Sequence, residues 1–184
     1  MDKKYKISSY YLPKIRDYKD DYKILGWEDR DSHISRFQSF ITNFDIKRYD
    51  TFLDVGCGLG TILEYFKDSN ITINYTGVDI LEEMIVEAKR RHSESLFYNV
   101  DVFKEDKFTQ TFDIVYASGI FNIDLGNNKL FLKRAITRFY TLANSIIGFN
   151  LLHHNSKNRE SGYFYFSPED TVKMIERSGL KFKK

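Results

Sequence analysis

Hydrophobic positions in this chain come in short runs set apart by glycines and polar residues, and the period of the runs alternates along the sequence. Residues 1–30 are polar, rich in Tyr and Lys and weakly periodic, which predicts a short lead-in helix or loop. Between 32 and 44, Ile34, Phe37, Ile41 and Phe44 recur at helical spacing, with Ser32 placed to cap the helix start. Thr51–Val55 is a compact apolar run that stops at glycines, the pattern of a buried strand. Ile62, Leu63 and Phe66 then mark a helix behind it.

The same alternation repeats downstream. Ile73–Ile80 reads as a strand containing Asp79 near its end. Leu81, Met84, Ile85 and Ala88 then form one helical face, with Glu87 and Arg91 as an exposed i,i+4 pair. Ser95–Val100 and Phe112–Ala117 are a third and a fourth strand. Leu132, Ala135, Ile136 and Phe139 give the inner face of another helix, and Ser145–Leu152 is a fifth strand. His153–Gly162 is a polar loop. Ser167, Pro168 and Asp170 then make a strong helix start, with Gly179 as its C-cap.

Strands and helices alternating at these lengths predict an α/β fold. Its mainly parallel sheet is doubly wound, with helices on both faces. The expected division is a lead-in or lid at 1–30 and one α/β domain at 31–184. Residues 180–184, LKFKK, offer only the beginning of a sixth strand.

Composition narrows the function classes. The 184 residues carry 28 Lys plus Arg against 26 Asp plus Glu, a net charge of +2, which leaves no electrostatic footprint for nucleic acid or anionic membrane. A single Cys excludes an intramolecular disulfide framework. The first residues lack a signal-like apolar segment, and no run approaches the ~18 apolar residues needed to cross a bilayer. A cytoplasmic location is the expectation. The 16 Phe and 13 Tyr are read chiefly as core filling.

The chemistry concentrates at "LDVGCGLG", residues 53–60. A dinucleotide fingerprint requires Gly-x-Gly-x-x-Gly, whereas here Gly56, Gly58 and Gly60 alternate and Thr61 stands where the third Gly belongs. Asp79, closing the second strand, is positioned to accept hydrogen bonds from two ribose hydroxyls. By themselves these features fit any adenosine cofactor, nicotinamide dinucleotides included.

Taken together, "LDVGCGLG", "GVDI" (77–80), "NVDVF" (99–103) and "FDIVYASGIFN" (112–122) resemble the successive cofactor motifs of class I S-adenosylmethionine-dependent methyltransferases, in order and at successive strand ends. The resemblance covers about residues 50–180. "KILGWEDRDSHISRF" (23–37) is similar to the lead-in of a bacterial subgroup of that family acting on small molecules.

The resemblance implies a Rossmann-like fold and S-adenosylmethionine as methyl donor, with S-adenosylhomocysteine as product. Gly56, Cys57, Gly58 and Gly60 would form the turn against the cofactor. The helix start behind them would favour the methionine carboxylate, and Asp54 would attract its ammonium. Asp79 would take the ribose, Asp101 the adenine amino group, with Val102 beside the ring and Ile80 on one face. Ser118 and Gly119 would border the reacting methyl. Asp113, within a strand, is expected to be structural, and His92 a charge partner at a helix end.

Methyl transfer needs mainly alignment of the nucleophile, and proton removal when a hydroxyl reacts. His153 and His154, after the fifth strand, and His33 are the candidate bases. No residues are spaced as metal ligands. The Asn- or Asp-Pro-Pro-aromatic signature of enzymes methylating adenine or glutamine nitrogens is absent after "FDIVYA". The expected activity is therefore methyl transfer to oxygen or nitrogen of a small acceptor, a metabolite or sugar. The alternatives are cofactor binding without transfer, methylation of RNA or protein, and a nicotinamide-dependent oxidoreductase. The family's sheet ends in a sixth parallel and a seventh antiparallel strand, so the short C-terminus is a departure from it.

Overall fold

Five parallel strands run through the centre of the protein in the order β3-β2-β1-β4-β5. A computed structural model describes residues 3–104, 108 and 110–181. The strands are β1 (Thr51–Val55), β2 (Asn74–Asp79), β3 (Leu96–Asn99), β4 (Phe112–Ala117) and β5 (Ala143–Phe149). Among the described residues seven α-helices accompany them: α1 (Lys3–Asp17), α2 (Asp21–Ile24), α3 (Arg30–Asn43), α4 (Ile62–Asp68), α5 (Glu82–Arg91), α6 (Asn128–Leu142) and α7 (Pro168–Glu176). The doubly wound α/β expectation is met. Residues 182–184, most of the anticipated sixth-strand start, lie outside the described residues, and Leu180 and Lys181 are not in a strand.

Side-chain alternation along the strands distributes two cores. Phe52, Tyr75, Ile114 and Tyr116 point to one face and pack with Phe37 and Phe40 of α3, Phe66 of α4 and Ile85 of α5. Leu53, Val55, Val78, Val115 and Ala117 point to the other, against Leu132, Ala135, Ile136 and Phe139 of α6. Asp54 follows Phe52 by two residues, so it shares the α3 face. This parity determines the acid's neighbours.

Local differences from expectation have identifiable causes. The lead-in forms a 15-residue helix, α1, none of whose residues is buried, so its weak periodicity reflects a helix lying on the surface of the body. In α3 the cap is Asp29, whose side chain accepts from the Ser32 N–H at 2.7 Å, rather than Ser32. The face of α3 that docks on the sheet is His33, Phe37 and Phe40, and Phe44, just past the helix end, is 41% exposed. The α7 cap is as expected, with Ser167 Oγ accepting from the Asp170 N–H at 3.1 Å, although the helix ends at Glu176, before Gly179. Glu87 and Arg91 pair at 2.8 Å, and Arg91 also reaches Asp21, which ties α2 to α5. Among the described residues no helix is long and apolar enough to cross a membrane.

Candidate active-site crevice

The strand order reverses at β1, which lies between β2 and β4, and ligands of open α/β sheets bind at the carboxyl ends of strands at such a switch point. A crevice of about 980 Å³, its open mouth included, lies there. Its floor comes from Asp54, Gly56, Cys57, Gly58, Asp79, Ile80, Asp101, Val102, Ser118 and Gly119, which gathers nearly all of the sequence-derived cofactor residues. Gly60 is absent from the lining. Among the described residues no cluster of His, Cys, Asp and Glu forms a metal site.

The turn after β1 is tight because Gly56 and Gly58 adopt φ of +73° and +55°, a region unfavourable for residues with a Cβ. Apolar side chains use the space this leaves. A Cβ on Gly56 would stand 2.2 Å from Ile120 Cγ2, and one on Gly58 2.8 Å from Leu25 Cδ2. The anticipated close approach to backbone is thus made in part by Ile120 and Leu25. Cys57 is buried in this turn, and burial pushes its thiol well above its ordinary range, so it is no nucleophile.

Asp79 knits the crevice together. One carboxylate oxygen accepts from the Gly58 N–H at 3.0 Å and the other from the Leu81 N–H at 2.9 Å. Each oxygen keeps a further lone-pair site for a ligand hydroxyl. Burial raises its pKa, opposed by these backbone hydrogen bonds. Asp101 accepts from the Phe103 N–H at 3.1 Å, so it caps its own turn while lining the crevice. Asp54 is 5% exposed and accepts from the Tyr75 hydroxyl at 2.9 Å. Burial lifts its pKa to about 7, against the opposing pull of Tyr75 and Arg36.

Two supporting residues fall outside the cofactor motifs. Asn150, just past β5, accepts from the Gly119 N–H at 2.9 Å and donates to Ser118 Oγ at 2.8 Å, fixing the turn after β4. Arg36 of α3 lines the crevice with its guanidinium stacked 4.2 Å from the Trp27 ring centroid. An Arg beside Phe37 on a predicted amphipathic helix was the available signal, but it belongs equally to a solvated face.

The histidine assignments need correction. None of His33, His153 and His154 lines the crevice. His153 Nδ1 accepts from the Asn155 N–H, and His154 Nδ1 lies 3.2 Å from the Phe166 carbonyl oxygen, because the chain after β5 bends to pair with residue 166. His33 is 2% exposed and stacks on Trp27. Burial lowers its pKa to about 3, which makes it a core imidazole. His92 packs on Phe97, and burial lowers its pKa too, so it does not act as a charge partner. Asp113 is structural as expected, accepting from the N–H groups of Asp50 and Thr51 at 3.0 and 3.1 Å.

The roof of the crevice comes from the lead-in: Lys3, Ile7 and Tyr11 of α1 and Leu25 and Trp27 beyond α2 all line it. The α1 helix is held by the Tyr10–Tyr163 hydroxyl pair and by Lys6 Nζ donating to the Asp124 carbonyl at 3.2 Å. Lys3 Nζ sits 3.8 Å from the Phe131 ring centroid.

Residues 53–137 match the family described as a methyltransferase domain. A Mycobacterium tuberculosis protein that carries a methyltransferase name is 35% identical over 72 residues, 39% of this chain and 42% of that relative. The chain thus spans less than half the length of that curated relative. Magnesium protoporphyrin IX methyltransferase from Synechocystis PCC 6803, solved with bound S-adenosylmethionine, superposes with a TM-score of 0.67 at 15% identity. The alignment covers 100% of this chain and 89% of that one. The [4+2]-cyclase SpnF has a TM-score of 0.66 at 16% identity, covering 96% of this chain and 70% of the other. The fold is that of class I S-adenosylmethionine-dependent methyltransferases.

Proposed function

We propose that this chain, whose residues 53–137 are a methyltransferase domain on a class I fold, transfers the methyl group of S-adenosylmethionine to oxygen or nitrogen of a small acceptor. S-adenosylhomocysteine is the second product. One observation carries the reading. Asp54, Asp79 and Asp101, from the ends of β1 and β2 and just beyond β3, converge on a single crevice at the switch point. A dinucleotide site would need an open pyrophosphate cradle at the glycine turn, and Leu25 and Ile120 crowd that turn instead.

In this reading Asp79 receives the ribose hydroxyls on its free lone pairs. Asp101 accepts from the adenine amino group, with Val102 beside the ring and Ile80 on its face. Gly56, Cys57 and Gly58 bound the methionine part, and Asp54 attracts its ammonium. Ser118 and Gly119, held by Asn150, stand next to the reacting methyl. Helix α1 together with Leu25 and Trp27 acts as a roof, shielding the displacement from water. With no imidazole at the crevice, the contribution of the chain is alignment and dehydration, which alone is worth roughly 7–11 kcal/mol at its upper limit.

A small acceptor fits a crevice roofed by the chain's own helix and a near-neutral surface charge of +2. The magnesium protoporphyrin IX methyltransferase of similar fold is named for an acceptor of that class. Calorimetry with S-adenosylhomocysteine and NAD in parallel tests the cofactor, and binding of NAD alone overturns the reading. Transfer of radiolabelled methyl to pools of small metabolites tests the activity. A second reading, cofactor binding without methyl transfer, is favoured by the similar fold of a protein named as a [4+2]-cyclase. Tight S-adenosylhomocysteine binding with no label in any pool would support it.

A further inference from the structure

Helices α6 and α7 lie side by side and run in the same direction. Lys129 Nζ reaches Asp170 Oδ2 at 3.2 Å near their starts, and the Tyr140 hydroxyl donates to the Lys181 carbonyl oxygen at 3.5 Å near their ends. Between them lies a groove of about 1010 Å³, its open mouth included. Buried Leu132 and Phe166 make its floor, and Leu130, 46% exposed, stands on its rim. The walls are basic: Lys129 and Lys133 come from α6, Lys173 and Arg177 from α7, and Asp170 is the only acid among the described residues lining it.

Asp170 is already engaged by Lys129, whereas Lys133, Lys173 and Arg177 form no ion pair among the described residues. Helix α6 adds Arg134 and Arg138 and carries no acid at all, a local excess on a chain of net charge +2. Each wall sets two cations at i and i+4, one helical turn apart. A helix with an apolar stripe carries flanking carboxylates at the same interval, so it can match both walls while its stripe covers the rim. We infer that the groove between α6 and α7 docks an acidic amphipathic helix of a partner protein, with its apolar stripe on Leu130 and Met174 and its carboxylates on Lys133, Lys173 and Arg177.

Other anionic partners fit less well. A phosphate backbone would meet Asp170 and leave the apolar floor uncovered, and a flat headgroup surface would not enter the groove. The first turns of α6 separate the groove from the crevice, since Phe131 lines the crevice while Leu130 and Leu132 line the groove. A docked partner therefore stands beside the crevice, and the inference does not depend on which cofactor the crevice holds. The lining falls well short of the roughly 20–30 residues per side of a standard interface, so the association should be transient and salt-dependent.

The test titrates the full chain with a labelled helical peptide that carries a Leu stripe flanked by Glu at i,i+4 intervals, read by fluorescence anisotropy. Micromolar binding is expected, weakening as salt rises and lost when Lys replaces every Glu of the peptide. Lys133→Glu combined with Lys173→Glu should weaken binding at least about tenfold, and Leu130→Ser about threefold or more. Lys47→Glu combined with Lys67→Glu makes the same net charge change on exposed residues elsewhere, and should leave affinity within about twofold. No binding of the acidic peptide overturns the docking site, and so does an equal loss from both charge pairs. Unchanged affinity in Leu130→Ser also overturns it, by reducing the groove to a nonspecific charged surface. Tighter binding of poly(U) RNA or of phosphatidylglycerol vesicles, lost in the groove variant, would assign the surface to nucleic acid or membrane instead. A dimer in sedimentation that the groove variant abolishes would assign it to a second copy of the chain. The wild-type comparison of the two peptides stands without any variant.

Discussion

Tyr75 donates its hydroxyl to Asp54 Oδ2 at 2.9 Å, a bond made possible because both side chains emerge on the α3 face of adjacent parallel strands. It gives the buried carboxyl, which lines the crevice, one donor. Burial nevertheless dominates and lifts the Asp54 pKa to about 7. The charge of the crevice thus changes close to neutrality.

Cofactor affinity should follow that titration. An ammonium is attracted by ionised Asp54 and not by its protonated form, so S-adenosylhomocysteine should bind more tightly as pH rises from 6 to 8. Calorimetric titrations across that window check it. Asp54→Asn should bind more weakly at pH 8 and show a flattened profile, and an unchanged slope would remove Asp54 from the site.

Stability should show two opposing slopes. Asp54 has a folded pKa raised from 3.8 to about 7, so its contribution is full below about 4 and is lost as pH rises through about 7. His33 has a folded pKa lowered from 6.5 to about 3, so its contribution is full above about 6.5 and is lost as pH falls toward 3. Each is worth about 4–5 kcal/mol at most, at roughly 1.4 kcal/mol per unit. They offset one another between about pH 4 and 6.5. Urea unfolding should therefore show Asp54→Asn weakening on acidification and His33→Phe strengthening, relative to a flatter wild type.

Asp79→Ala should weaken S-adenosylhomocysteine binding by about 1–3 kcal/mol, the loss expected for charged hydrogen bonds to hydroxyls. The same change leaves the Gly58 and Leu81 N–H groups without their acceptor, so a melting-temperature drop should accompany it. Calorimetry on the folded fraction separates the two effects. Unchanged affinity in a folded variant would put the ribose elsewhere.

Phe52 is fully buried and touches the rings of Phe40, Phe66, Tyr75 and Tyr116. Phe52→Ala should cost about 3–5 kcal/mol of unfolding free energy, because the rings around it cannot collapse into the void. Chemical denaturation measures it. A cost near 1 kcal/mol would mean that the α3 face repacks freely.

Much of the crevice floor was readable in advance because its parts are local. Gly56 and Gly58 follow an apolar run, and Asp54 and Asp79 lie at or near strand ends that periodicity alone locates. Arg36 and Asn150 were not readable in this way. Each acts through a partner far along the chain, Arg36 beside Gly119, Asn150 on Ser118 and Gly119, and no spacing rule links such pairs. His153 and His154 show the reverse error, since a position just after a parallel strand suggested the crevice and the chain turned away to meet Phe166.

The alternation of apolar runs, the glycine turn and the acids beside it determined the strand sequence and the chemistry of the floor, because strand, turn and cap preferences are decided within a few residues. The roof, the charge partners and the exclusion of the histidines were decided only by tertiary structure. They depend on which face α3 presents and where α1 comes to rest, and such long-range packing is encoded across the whole chain.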